Sequence, residues 1–111
     1  METLTQSQLV ARLAAVAPSF HEEWESLVAE DPYPSGSLHA VYLAFWPYVN
    51  PERMSHQQLA ALATLFNQEV AAGGNRENAV ATCILEHLGR GPATKELRQL
   101  LAPATKARLR A

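Results

Sequence analysis

The chain's single cysteine, Cys83, stands four residues before His87, with Glu86 between them, in the stretch from Asn75 to Leu88. On a helix these positions share a side, so the spacing poses two kinds of chemistry. A metal would require three or four ligands, usually with a second pair from another element. The remaining histidines, His21, His39 and His56, stand singly on separate segments, and no second cysteine exists. A thiol nucleophile would require a lowered pKa and an oriented base. Cys83 instead sits among Val80, Ile84 and Leu88, where a free cysteine behaves as a small buried hydrophobe. The expectation is a core cysteine, with no metal, no cofactor and no catalytic group.

Other patterns fare similarly. The stretch from Gly89 to Lys95 is glycine-rich, but a phosphate loop places glycine directly before its lysine and a hydroxyl residue after it. Here Thr94 precedes Lys95 and Glu96 follows it. Glu22, Glu23 and Glu25 resemble paired carboxylates, yet the first turn of a helix favours acidic residues without any chemistry. The aromatic residues divide. Tyr42 and Phe45 follow a helical stripe into the core. Trp46 and Tyr48 fall off that stripe, with Tyr33 nearby, and such residues are the usual anchors of protein interfaces.

The elements that would position these side chains are marked by punctuation. Thr5 to Gln8, Ser19 to Glu22 and Ser55 to Gln58 each have capping-box spacing. Leu4 with Leu9, and Met54 with Leu59, occupy hydrophobic-staple positions. Pro18 ends a first helix, and Asp31 to Gly36 ends a second. A third is predicted from Ser37 to about Trp46, closed by Pro47. The fourth carries Leu59, Leu62, Phe66 and Val70 on one face and stops at Gly73-Gly74. Asn75 is predicted to cap the fifth, which Gly89 to Pro92 breaks. A sixth ends near Leu101, and Pro103 suits the first position of a seventh. No strand pattern competes. The fold class is all-α: one domain over residues 1–111, a compact bundle of about six or seven short helices, with stacked hairpins an option for the carboxyl half.

With 48% apolar and 18% charged residues, 111 residues suffice for a real core without disulfides. One cysteine, no membrane-length apolar run and no secretory pattern point to a cytoplasmic setting. Charge is uneven. Residues 1–31 hold six acidic side chains against Arg12, and residues 90–111 hold six basic ones against Glu96. A basic arm for nucleic acid is one reading, and a pI near 6.0 disfavours it. The basic segment also carries Leu97, Leu100, Leu101 and Leu109, which favours two ends that lie together and neutralise each other.

The carboxyl half also resembles a known family. Asn78 through Leu88, then Leu97 to Leu101 and Ala102-Pro103, with Leu59 to Leu62 and Glu69 upstream, is similar to a small bacterial family of all-helical proteins, a domain of unknown function. The resemblance spans residues 38–110. Some members look like immunity proteins, which neutralise a toxin by binding it. The resemblance carries no activity with it, and it singles out Asn78 and Glu86 as polar positions; Cys83 and His87 depart from its pattern.

The resulting expectation is a non-catalytic protein–protein interaction module, immunity- or antitoxin-like, contacting another protein through Tyr33, Trp46, Tyr48, Asn78 and Glu86. A homo-oligomer is compatible with it. The alternatives are a small thiol enzyme using Cys83 and His87, or a weak nucleic-acid binder acting through the basic carboxyl segment.

Overall fold

The structure, a computed structural model, describes residues 4–30 and 37–109. Helices α1 (Gln6–Val16), α2 (Phe20–Glu30) and α3 (Leu38–Phe45) come first, and a short 3-10 turn, Trp46–Tyr48, extends α3. Helix α4 (His56–Ala72) is the longest. A continuous rod follows, made of α5 (Gly74–Val80), a π-helical segment (Ala81–Leu85) and α6 (Glu86–Leu88). After a 3-10 turn at Pro92–Thr94, α7 (Lys95–Leu100) and α8 (Pro103–Lys106) complete the bundle. Among the described residues there is no strand, so the all-α bundle is the fold.

Local chemistry explains the boundaries. In the first capping box the Thr5 amide donates to Gln8 Oε1 at 2.9 Å, and the Gln8 amide donates to Thr5 Oγ1 at 3.1 Å. Ser55 and Gln58 repeat the pattern at 2.9 and 3.1 Å. The Gln58 side chain also donates to the Val16 carbonyl at 3.0 Å, tying the start of α4 to the end of α1. Pro18 disfavours the helical region for the residue before it, and Ala17 is extended, at φ −133° and ψ 90°.

Two boundaries depart from expectation. The Ser19 box does not form: among the described residues, Ser19 makes no side-chain bond to the Glu22 amide, and α2 starts directly after the Pro18 turn. Nor does Asn75 cap α5. Gly73, at φ 70°, ends α4 and caps α5 at once, with Gly74 at φ 56°. Glycine alone adopts this left-handed region freely, so the chain reverses within one residue and Asn75 falls inside the helix.

Helix α4 is the spine. It packs against α1, α5, α7 and α8, while α3 packs against α1, α2, α5 and the π segment. Leu9, Leu13, Phe20, Val41, Phe45, Leu59, Leu62, Phe66, Ile84, Leu85 and Leu97 are fully enclosed at this centre. Burying such a side chain contributes roughly 1.5–3 kcal/mol each before entropy opposes it. Asn67 fastens α4 to the α7–α8 turn: it accepts from the Ala102 amide at 2.9 Å and donates to the Leu100 carbonyl at 3.4 Å.

Candidate interaction surface

Helix α3 presents His39, Leu43 and Trp46 at i, i+4 and i+7, hence along one face. The rod of α5, the π segment and α6 lies beside it and supplies Asn78, Thr82, Glu86 and His87. Two side-chain contacts cross the seam. Asn78 Nδ2 lies 3.3 Å from His39 Nε2, and the rings of Trp46 and His87 sit 5.8 Å apart at 56°. Thr82 donates to the Asn78 carbonyl at 2.7 Å, turning its hydroxyl back onto the helix. Asn78, Thr82 and His87 are exposed, and His39, Trp46 and Glu86 are half-buried. Between His39 and Trp46, Leu43 is 59% exposed, the most exposed large apolar side chain among the described residues.

Three of the five anticipated contact residues, Trp46, Asn78 and Glu86, therefore share this seam. Tyr48 does not. Its ring stacks on Phe45 at 5.8 Å and meets Phe20 edge-on at 5.6 Å, so it closes the aromatic core toward α2. Trp46 and Tyr48 are consecutive odd positions of a 3-10 turn, and the turn sends them apart. Tyr33 lies outside the described residues.

The opening pair is also resolved. Cys83 is buried, and its thiol donates weakly to the His39 carbonyl, with sulfur to oxygen at 3.6 Å. Burial pushes the thiol pKa upward, away from the thiolate a nucleophile requires. His87 turns to Trp46 and makes no hydrogen bond to Cys83. Among the described residues, no group of three or more histidine, cysteine or carboxylate side chains converges on a point. The glycine-rich turn is a brace: Thr94 Oγ1 lies 3.2 Å from the Gly89 and Gly91 carbonyls, and Arg98 donates to Thr94 Oγ1 at 3.1 Å and to Gly91 at 2.9 Å.

The expected mutual neutralisation of the chain's ends is not seen among the described residues. Among the described residues, no ion pair joins residues 1–31 to residues 90–111. Arg90 instead donates to the Lys106 and Leu109 carbonyls at 3.0 and 3.2 Å, and Arg108 faces Glu77 at 3.7 Å. Arginine reaches the orphan carbonyls at a helix end, so a basic segment with several helix ends uses its charge locally.

One polar cluster was missed. Glu69 is completely buried on α4. Arg76 grips it with two parallel bonds, Nε to Oε1 at 3.0 Å and Nη2 to Oε2 at 2.5 Å, while Arg12 reaches Oε2 at 3.4 Å. Nearby, the Tyr42 hydroxyl is buried without a hydrogen-bond partner, and burial followed by the Glu69 charge raises its pKa far above the ordinary phenol value. The signal was present: Glu69 continues the Leu62–Phe66 stripe, where a carboxylate must find a cation.

Compared with known proteins, the chain matches no family model, no curated protein and no solved structure. Among the described residues, no helix is long and apolar enough to cross a membrane.

Proposed function

We propose that the chain is a non-catalytic protein-binding module of the cytoplasm, immunity-like in acting by occupancy, and that it engages its partner through the α3–α5 seam. The observation that carries this reading is Leu43, left 59% exposed beside a Trp46 indole tilted against His87. An aromatic anchor with an apolar neighbour and a polar border of Asn78, His39 and Glu86 is the usual composition of an interface centre. Asn78 with His39, and Trp46 with His87, hold one another in place, so little ordering would accompany binding.

The test is capture of a partner from lysate of the source cell, with the partner identified by mass spectrometry. Trp46→Ala and Leu43→Asp should each weaken that complex by at least about tenfold, the scale of an interface hot spot, with helicity retained. Tyr48→Ala should instead lower stability and leave affinity at the seam unchanged. Capture that survives both seam substitutions refutes the assignment of this face.

A further inference from the structure

We infer that the groove between α1 and α2 is a docking site for a basic amphipathic helix of another protein. This is a separate surface from the seam and does not depend on it. The groove encloses about 380 Å³. Its walls are Val10 and Ala11 from α1 and Trp24, Val28 and Ala29 from α2, with His21 and Glu25 on the rim. The apolar α2 residues recur at helical spacing, and Val28 is 39% exposed. Such a trough accepts the apolar stripe of a helix at i, i+3 or i+4 and i+7. The eleven residues of α2 give it a length of about 16 Å, three turns of an occupant.

Charge decides which occupant. Helix α2 carries Glu22, Glu23, Glu25 and Glu30 and no lysine or arginine. Of these four, only Glu25 has an ionic partner among the described residues, the exposed His21 at 3.4 Å. Glu25 stands on the groove's rim, and Glu22 precedes it by about one turn of α2. Arg12, the cation of α1, is committed to Glu69 instead. Among the described residues no ion pair joins the basic segment to α2, so an apolar trough on a helix whose other three carboxylates have no ionic partner is left for lysine or arginine side chains flanking an apolar stripe. A neutral helix would bring no such complement, and an acidic one would add like-charge repulsion.

The probe is a fluorescein-labelled lysine–leucine amphipathic peptide of about 14 residues, with a glutamate–leucine peptide of the same pattern as control. Anisotropy should show binding of the basic peptide alone, weakened severalfold as salt rises to about 0.5 M. Amide chemical-shift changes should centre on Val10, Trp24 and Val28. Glu22→Lys/Glu25→Lys and, separately, Val28→Asp should each weaken binding by at least about tenfold, with circular dichroism unchanged. Trp46→Ala should have no effect, which separates this site from the seam. Failure of the basic peptide to bind, equal binding of the acidic peptide, shifts mapping elsewhere, or indifference to both substitutions each overturns the proposal. Salt-sensitive self-association that broadens the same resonances without peptide also overturns it, by assigning the groove to a second copy's basic segment.

Discussion

Glu69 and Cys83 both place a polar group inside the bundle, and the two sites are built to opposite plans. At Glu69 a full charge is enclosed, and two guanidiniums from α1 and α5 converge on one carboxylate. At Cys83 the enclosed group is nearly apolar, its one bond is weak, and the polar side chains around it, His39, Asn78 and His87, lie at the surface. The first arrangement joins three helices and leaves nothing over for a ligand. The second commits little energy to internal pairing, with one weak thiol bond and a single Asn78–His39 contact at the surface. The contrast shows that a concentration of charged groups need not mark a working site: where pairing is saturated the role is structural.

The sharpest way to break this contrast is to unpair the carboxylate. Arg76→Ala removes the bidentate partner of a fully buried charge and should cost about 3 kcal/mol, read as a lower urea midpoint. A loss below about 1 kcal/mol would mean that water reaches Glu69 and the cluster is not enclosed. Arg12→Ala removes a longer, single contact from a side chain 42% exposed, and should cost no more than about 1 kcal/mol. Reversal of that order would reassign the principal partner.

At the other site, Cys83→Ala should cost under about 1 kcal/mol, and labelling of the native thiol should wait for unfolding. The raised thiol pKa also sets a pH dependence. Below the ordinary value of 9.0 both folded and unfolded chains hold the proton, so stability is flat. Above it the unfolded chain releases the proton first, so stability declines as pH rises. Cys83→Ala should remove part of that alkaline decline in urea titrations. Rapid labelling near neutral pH would instead revive the thiol-enzyme alternative.

Tyr42→Phe carries the smallest effect and an unusual sign. Its hydroxyl is buried and unsatisfied, so deletion should be neutral or stabilise by up to about 1 kcal/mol. A clear loss of stability would show that the hydroxyl has a partner, such as bound water.

Much of the fold was legible because it depends on neighbours in sequence. Thr5–Gln8, Ser55–Gln58 and Pro18 act within one turn, and each did what its spacing implies. Ser19 failed because the turn before it already starts α2, and Asn75 failed because two adjacent glycines let the helix begin earlier. The surface was less legible. Asn78 meets His39 across 39 residues, and Trp46 meets His87 across a gap in sequence that no periodicity reports. Tyr48 looked equivalent to Trp46 because a 3-10 turn and its continuation into α3 are invisible at the level of residue type. Charge totals misled as well, since they do not distinguish a guanidinium facing a carboxylate from one closing a helix end.

The π segment gives the rod one place where a change in length can be absorbed. In that stretch the Glu86 amide bonds back to the Ala81 carbonyl, five residues earlier, so one turn holds an additional residue. Deleting a single residue from it would let an ordinary α-helix run straight through with every backbone bond kept. A deletion in the regular helix of α5 would instead swing the rod's last turn by about 100°, carrying His87 away from the indole.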